Sequence, residues 1–455
     1  MKLIAAIKSR LPRRILPSPA SPPETGLYSF DRVSGENRSH LHLRVNTDGS
    51  GILLVNASRI FQLNPSAAAM AFWLLSGVPR TQIIPRLCNA FGVSLEDAVR
   101  DFDAFEQQFT GILQPDGLCP ICDLDLETTL PFSSKPSAPY RMDLAVTYRC
   151  NNACTHCYNA RSRSFPEMDT AQWKKVLERL WRIGIPHIVF TGGEPTLRPD
   201  LPDLIACAVQ KGQIVGLNTN GRRLQDPAYV QSLVDAGLDH VQITLESHDP
   251  AIHDLMVAAP GAWQETVAGV RNALATRLFV MTNTTMLASN APQMEQTLTF
   301  LGELGLPTIG LNALIYAGRG RTVGTGLREE ELPPLLTLAR RITARYHQRL
   351  IWYTPTQYCH FDPVQMELGV KGCTAAYYNM CIEPDGSVIP CQSYYHSLGN
   401  ILAEPWDNIW NHDLSRSLRE RTALPEACQS CTLLPECGGG CPLARLSALE
   451  STQHL

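Results

Sequence analysis

The alternation of apolar runs and amphipathic stretches divides the chain into three parts. Between about residues 142 and 320, short apolar runs typical of buried strands alternate with stretches whose apolar residues recur at helical spacing. The predicted strands are 142–148, 187–191, 214–218, 240–245, 279–285 and 308–314. Six strand–helix units in this order predict an α/β fold with a parallel sheet.

The part before residue 141 has a different pattern. Residues 1–39 are predicted to be flexible, because 15–26 are rich in Pro and Ser. Short strands at 41–45 and 52–55 precede three helices, so 40–115 is predicted to be a winged helix-turn-helix domain. Such domains often bind DNA, but we expect no nucleic-acid partner, because the third predicted helix is acidic. Its acidic residues are Glu96, Asp97, Asp101, Asp103 and Glu106.

Composition and charge exclude several classes of protein. The chain has 455 residues, of which 44% are hydrophobic and 18% charged, as in a globular protein of two or three domains. Its formal net charge of −4 gives no electrostatic footprint for nucleic acid. No apolar run is long enough to span a bilayer, so we expect no membrane span.

Three cysteines follow the first strand of the α/β part. Cys150, Cys154 and Cys157 stand on a short loop, which can bring three thiolates onto one face of an iron–sulfur cluster. The fourth iron is then left without a protein ligand. A structural zinc site would need a fourth ligand nearby, and the place of His156 inside the last interval makes that geometry awkward.

A glycine-rich turn follows the second predicted strand. Gly192 and Gly193 allow a close approach of the backbone to a ligand, Glu194 can accept hydrogen bonds from an ammonium group, and Pro195 fixes the turn. With the cysteine loop before it, this turn resembles the radical S-adenosylmethionine (SAM) enzymes over about 142–320. The resemblance implies a partial (β/α)6 TIM barrel over 141–345.

That resemblance also implies the cofactors. Cys150, Cys154 and Cys157 would hold a [4Fe–4S] cluster whose open iron chelates SAM, and an electron from the cluster would produce a 5′-deoxyadenosyl radical. Gly192, Gly193, Glu194 and Pro195 would contact SAM. Tyr158, which follows the last cysteine, is a further candidate cofactor contact. A cytoplasmic, reducing setting agrees with fifteen cysteines of which ten have ligand-like spacings.

Polar residues at the predicted strand ends are the other candidates for SAM or substrate binding. Asn218 and Asn220 close the third strand, and Thr244 and Glu246 lie on a polar face of the fourth. A polar face inside a buried parallel sheet needs hydrogen-bond partners. Ordinary polarity of surface loops explains any single one of these residues equally well.

The linker 116–140 carries one further pair, Cys119 and Cys122. A lone Cys-x-x-Cys is ambiguous. It is half of a metal site, a redox pair or two surface cysteines, and the sequence leaves these alternatives open.

The C-terminal part, 346–455, resembles the SPASM domain, which binds auxiliary [4Fe–4S] clusters. Its pattern comprises Cys373, Gly386 and Cys391, followed by Cys428, Cys431, Cys437 and Cys441. By this resemblance Cys359, Cys373, Cys391 and Cys441 hold the nearer cluster, and Cys428, Cys431 and Cys437 the outer one.

The outer cluster lacks one family ligand. The tail after Cys441 contains no cysteine. The outer cluster then has an open iron, uses Cys381, Cys119, Cys122 or His454, or is absent. We therefore expect one or two auxiliary clusters.

A weaker resemblance concerns the N-terminal domain. Leu63-Asn64-Pro65 at a helix start and the following Trp73 resemble the PqqD-like recognition element for ribosomally synthesised and post-translationally modified peptides (RiPPs). In that family a leader peptide adds a strand to the small sheet.

Together the resemblances imply a maturase that crosslinks a precursor peptide through a thioether or carbon–carbon bond. A flavodoxin or ferredoxin would supply its electrons. The alternatives are a maturase of a folded protein, of the sulfatase or quinoprotein type, and a DNA-binding redox sensor.

Overall fold

A computed structural model describes residues 21–34, 37–56, 59–112, 136–160 and 163–452. Cys119, Cys122 and His454 lie outside these ranges, so their predicted roles remain predictions. The chain divides into two compact units, of which the first contains the N-terminal part with 177–187 and 210–214, and the second contains the rest. No helix within the described ranges is both long and apolar enough to cross a membrane.

The first unit contains a four-stranded antiparallel sheet whose strands follow one another in chain order. They are β1 (Gly26–Ser34), β2 (Asn37–Val45), β3 (Gly51–Val55) and β4 (Arg59–Leu63). The expectation that everything up to residue 39 is flexible is therefore wrong for β1 and the start of β2. The Pro- and Ser-rich stretch ends at about the start of β1. One face of this strand carries Leu27, Ser29 and Asp31, which is a weak apolar pattern for a strand.

Three helices follow this sheet, as predicted: α1 (Pro65–Leu75), α2 (Arg80–Phe91) and α3 (Leu95–Ile112). Asn64 caps α1 through a 2.8 Å bond from the backbone N–H of Ala67 to its Oδ1. Gly92 ends α2 in the left-handed conformation at φ 66°. Phe72, Trp73 and Phe102 are fully buried in the core of this domain.

The second unit is built on a nine-stranded sheet with the order β11-β10-β9-β8-β7-β6-β5-β12-β13. Its strands are β5 (Arg141–Thr147), β6 (His187–Gly192), β7 (Ile214–Thr219), β8 (His240–Thr244), β9 (Phe279–Thr285), β10 (Thr308–Asn312), β11 (Arg349–Trp352), β12 (Asn379–Ile382) and β13 (Val388–Ile389). All six strands predicted for the barrel are confirmed. Neighbouring strands from β7 to β11 are parallel, as the alternating pattern predicted.

Three further strands extend that sheet beyond the predicted barrel. The predicted boundary at residue 345 is misplaced, because β11 pairs in parallel with β10. At the other edge β12 pairs in parallel with β5, and β12 and β13 form a hairpin around Gly386. These strands have two to four residues, too few to show a period.

Helices and short turns connect the strands and form the cysteine-rich end. They are α4 (Thr170–Ile183), α5 (Leu201–Lys211), α6 (Pro227–Asp235), α7 (Pro250–Val257), α8 (Ala262–Leu274), α9 (Met294–Glu303), α10 (Leu332–Arg345), α11 (Trp406–Trp410), α12 (Asp413–Glu420), α13 (Glu426–Gln429), α14 (Leu434–Cys437) and α15 (Pro442–Thr452). A capping box starts α4: Asp169 and Gln172 exchange bonds of 2.8 and 3.0 Å.

Candidate active site

The three cysteines lie on the loop that leaves the carboxyl end of β5, where active sites of such barrels are found. Burial raises the pKa of Cys150 to about 11. Burial, followed by the charges of Cys157 and Cys150, raises the pKa of Cys154 well above its usual value. A bound cationic iron centre would stabilise the deprotonated form of these thiols.

The end of α7 fixes the middle of the cysteine loop. The backbone N–H of Ala153 donates to the carbonyl of Val257 at 3.0 Å. The N–H of Thr155 donates to the carbonyl of Met256 at 2.9 Å. Both bonds flank Cys154, so the position of its sulfur depends on a helix that follows β8 rather than on the loop alone.

His156 is held by a carboxylate at the end of β8. Its Nε2 donates to Glu246 Oε1 at 3.0 Å, and the other carboxylate oxygen accepts from the backbone N–H of Thr285 at 2.8 Å. Burial opposes protonation of His156, but the charge and hydrogen bond of Glu246 outweigh it and raise the pKa of His156. Glu246, predicted as a cofactor contact, thus has two partners within the protein and is fully buried.

The glycines after β6 lie against the end of β5. A Cβ on Gly192 would lie 2.2 Å from the carbonyl oxygen of Thr147, and one on Gly193 would lie 2.4 Å from that of Arg149. The N–H of Gly193 donates to Thr147 at 2.8 Å, and that of Glu194 donates to Arg149 at 2.8 Å. The close backbone approach expected at these glycines is therefore made to the strand that carries the cysteine loop.

Glu194 joins this turn to the end of β7. Its Oε1 accepts from the Thr196 N–H at 3.0 Å, the Thr196 hydroxyl at 2.6 Å and the Thr219 hydroxyl at 2.7 Å. Its Oε2 accepts from the Asn220 N–H at 2.8 Å. Burial raises the pKa of Glu194, although these hydrogen bonds act in the opposite direction. Pro195 is buried at the start of the short turn that follows.

Residues after the last cysteine link the loop to the glycine-rich turn and to the C-terminal domain. Asn159 is buried, and its Nδ2 donates to the carbonyl of Gly192 at 2.6 Å. The hydroxyl of Tyr158 donates to Gln392 Oε1 at 3.2 Å, and the hydroxyl of Tyr395 donates to the Tyr158 carbonyl at 3.0 Å. Tyr158 is thus placed between the cysteine loop and the neighbourhood of Cys391.

The polar residues predicted at the strand ends form one row. The sheet register places Asn218 beside Gln242 and Thr244 beside Asn283. These four side chains are half-buried, whereas the residues between them are buried, so they share one face near the carboxyl ends of the strands. Asn220 lies directly beyond β7, and its Nδ2 donates to Asn151 Oδ1 on the cysteine loop at 2.6 Å.

The seven cysteines of the ligand pattern in the C-terminal domain are all described, and their surroundings divide them into groups. The charges of Cys441 and Cys391, after burial, raise the pKa of Cys373 to about 12. The charge of Cys441 also contributes to raising the pKa of Cys391. Cys359 does not share this environment, because the cysteines that affect it are Cys437 and Cys428.

Two other cysteines lie outside these groups. Cys381 lies in β12, is 1% exposed and packs with Ala145 of β5 and Ile389 of β13. Cys207 is half-buried in α5. None of the thirteen described cysteines forms a disulfide.

The sequence predictions missed three residues that shape the site: His156 as a partner of Glu246, Asn159 as a link to the turn, and Arg163. The Arg163 guanidinium lies 3.3 Å above the ring centre of Tyr148 and 3.7 Å from Glu383 of the C-terminal domain. His156 was considered only as a metal ligand. No sequence spacing connects Asn159 to Gly192, 33 residues away, or Arg163 to Glu383, 220 residues away.

Comparison with known proteins agrees with this arrangement. Residues 144–301 match the family model of the radical SAM superfamily, and 373–432 match that of the iron–sulfur cluster-binding SPASM domain. The chain is a radical SAM enzyme with a SPASM domain. Its cofactors are SAM and [4Fe–4S] clusters, and the thiol-rich loop and the seven C-terminal cysteines provide the soft donors that such clusters require.

The proteins that are similar to this radical SAM enzyme have names that refer to different molecules. Fe-coproporphyrin III synthase of Methanosarcina barkeri is 29% identical over 324 residues, which cover 65% of this chain and 81% of the relative. The structure of Streptococcus suis SuiB bound to the precursor peptide SuiA matches with a TM-score of 0.67 at 15% identity, over 91% of this chain and 96% of SuiB. That of anSMEcpe with bound AdoMet matches with a TM-score of 0.56 at 17% identity, over 68% and 91%.

Proposed function

We propose that this radical SAM enzyme modifies a ribosomally synthesised precursor peptide and forms a thioether or carbon–carbon crosslink in it. The observation that carries the proposal is the fold similarity to SuiB, whose structure holds a precursor peptide. A match over 91% of the chain must extend into the residues before 141, where the small antiparallel sheet lies. The proposed substrate therefore agrees with the N-terminal domain as well as with the barrel.

In this proposal Cys150, Cys154 and Cys157 hold the SAM-binding cluster. When bound, the cluster and SAM supply a reducing electron and a 5′-deoxyadenosyl radical. The protein fixes the loop through His156 and Glu246, which are almost fully buried, so water has little access to the bond between them. Hydrogen-atom removal from a peptide needs such fixed placement of the reacting groups.

The residues for SAM and substrate follow from the same geometry. The turn of Gly192, Gly193 and Pro195 with Glu194 would bind the methionyl group. Glu194 Oε2, which accepts from the backbone N–H of Asn220, would also accept from the ammonium. Asn218, Asn220 and Thr244 would bind the ribose, a carboxylate or the peptide from the polar row. Tyr158 and Glu246 stay predictions as cofactor contacts.

The N-terminal domain would hold the leader of the peptide. Its outer strands are β1 and β4, and a peptide that pairs with either would extend the sheet by one strand. The acidic residues of α3, among them Glu96, Asp101 and Asp103, are exposed and fit a peptide better than DNA. A flavodoxin or ferredoxin in a reducing cytoplasm would supply the electrons.

A second candidate comes from the relatives. Fe-coproporphyrin III synthase is named for a tetrapyrrole, and at 29% identity over 324 residues it matches more closely in sequence than SuiB does. This favours a tetrapyrrole substrate, but the match covers only 65% of this chain, whereas the match to SuiB covers 91%. The peptide proposal accounts for both parts of the chain.

The two candidates separate in one experiment. The anaerobically reconstituted enzyme is incubated with SAM, a reductant and each short peptide encoded beside this gene, and the products are analysed by mass spectrometry. We expect the loss of two hydrogen atoms per crosslink in one peptide. The Cys207→Ala variant is the matched control and should modify the same peptide, whereas Cys154→Ala should not. Modification of a tetrapyrrole but of no peptide would contradict the proposal.

A further inference from the structure

The C-terminal domain has seven cysteines in its ligand pattern, one fewer than two fully ligated [4Fe–4S] clusters need. Its tail after Cys441 contains no further cysteine. The family pattern would leave the shortage at the outer cluster. The structure distributes the seven cysteines differently.

The residues just before Cys359 lie against the loop of Cys437. The backbone N–H of Tyr358 donates to Cys437 Sγ at 3.4 Å, and the Cys437 thiol lies 3.6 Å from the carbonyl oxygen of Thr356. A Cβ on Gly440 would lie 2.6 Å from Gln357 Cγ. Cys359 directly follows Tyr358, and consecutive Cα atoms are about 3.8 Å apart. The backbone of Cys359 therefore lies close to the Cys437 sulfur.

Turns hold Cys359 and the outer cysteines in place. The N–H of His360 donates to the Gln357 carbonyl at 2.9 Å, and His360 Nδ1 lies 2.6 Å from Glu329 Oε2. The N–H of Cys431 donates to the carbonyl of Cys428 at 3.2 Å. Cys359 and Cys431 are exposed, Cys428 is half-buried and Cys437 is buried.

Electrostatics divide the cysteines in the same way. After burial, the charges of Cys437 and Cys428 are the largest causes that raise the pKa of Cys359. For Cys373 the corresponding charges are those of Cys441 and Cys391. This division agrees with the contact between the Tyr358 N–H and Cys437 Sγ, which brings the chain next to Cys359 against the outer cysteines.

We propose that Cys359 is the fourth thiolate of the outer cluster, together with Cys428, Cys431 and Cys437. In this arrangement a residue from before the SPASM pattern replaces the missing cysteine of the tail. The nearer cluster is left with Cys373, Cys391 and Cys441. One of its irons then takes no ligand from these seven cysteines.

Cys381 does not compete for the outer cluster. It lies in the core between β12 and β5, and its sulfur is 3.8 Å from the carbonyl oxygen of Ile382. The cysteine whose charge affects it is Cys391, a member of the nearer group.

The test uses two full-length backgrounds, both with Cys150, Cys154 and Cys157 changed to Ala so that the SAM-binding cluster is absent. The first also lacks Cys373, Cys391 and Cys441 and keeps the outer cluster. The second lacks Cys428, Cys431 and Cys437 and keeps the nearer one. Cys359→Ala is added to each, and iron per chain and the EPR spectrum of the reduced protein are measured. Cys207→Ala is the matched control.

In the first background, Cys359→Ala should remove up to about four irons per chain or change the EPR spectrum of the remaining cluster. In the second it should change neither, and Cys207→Ala should change neither in both. Cys359→Ser in the first background should retain more iron than Cys359→Ala, because a hydroxyl can still ligate. Iron loss in the second background alone, or in neither, would overturn the proposal. The latter result would direct the search to Cys119, Cys122 or His454.

Discussion

Nε2 of His156 lies 3.0 Å from Oε1 of Glu246, and this bond ties the cysteine loop after β5 to the end of β8. The two residues are 90 positions apart in the chain. The His156 side chain is 11% exposed and that of Glu246 is fully buried. The placement of Cys157, next to His156, therefore depends on a buried ion pair that lies outside both sequence motifs.

Removing His156 from this pair should destabilise the folded protein. In His156→Ala the Glu246 carboxylate would stay buried without its charged partner, so we expect a loss of about 3–5 kcal/mol in the free energy of unfolding. His156→Gln, which keeps a hydrogen-bond donor, should lose less. Denaturant unfolding of the cluster-free protein measures both. Equal stability of the Ala variant and the wild type would show that the pair contributes nothing.

The cysteine loop should be required for SAM cleavage but not for the auxiliary clusters. Replacement of Cys150, Cys154 and Cys157 by Ala should abolish formation of 5′-deoxyadenosine and methionine. The iron bound by the C-terminal domain should remain, because the seven cysteines of its ligand pattern are unchanged. Chromatography of the products and iron analysis test the two halves separately, and full cleavage in the triple variant would reject the assignment.

Sequence motifs predicted the six barrel strands and the cysteine loop because apolar periodicity and ligand spacing are local signals. The register that lines up Asn218 with Gln242 follows from parallel pairing of predicted strands, and so the polar row was largely predictable. The partners of His156 and Asn159 were not, because each is fixed by tertiary packing. β11 was missed because a strand of four residues carries no usable period.

Glu194 should contribute to SAM binding beyond its role in the turn. Glu194→Gln removes the charge that would meet the SAM ammonium, so we expect binding weaker by about 1.5–3 kcal/mol, with iron content unchanged. Thr219→Val is the control, because it removes one hydrogen bond to the same carboxylate and keeps the charge. Calorimetric titration of SAM into both variants decides. Unchanged affinity in Glu194→Gln would make the residue purely structural.

The N-terminal domain should be required for modification of the peptide and not for cleavage of SAM. Deletion of 21–112 should abolish or strongly weaken modification of the full precursor, because the sheet proposed to hold the leader is gone. SAM cleavage without peptide should remain largely intact, since the described contacts of the cysteine loop involve residues after 140. A truncated enzyme that modifies the precursor as well as the full chain does would remove the leader-binding role.

Acid should destabilise the protein in part through His240. Burial lowers the pKa of His240 from its usual 6.5 to about 3. Below pH 6.5 the unfolded state therefore binds a proton that the folded state does not bind. Stability from this residue is constant above pH 6.5 and falls as the pH drops towards 3. Between pH 7.5 and 4.5 the wild type should lose about 2–3 kcal/mol more than His240→Gln. Denaturant unfolding at both pH values measures the difference, and equal losses would contradict the assignment.

The most direct test of a radical peptide maturase follows the abstracted hydrogen. Candidate precursor peptides are prepared with deuterium at carbon-bound positions and incubated with the reconstituted enzyme, SAM and a reductant, and 5′-deoxyadenosine is analysed by mass spectrometry. We predict deuterium in 5′-deoxyadenosine together with crosslinked peptide. Formation of 5′-deoxyadenosine that never contains deuterium from any of these peptides would contradict a peptide substrate.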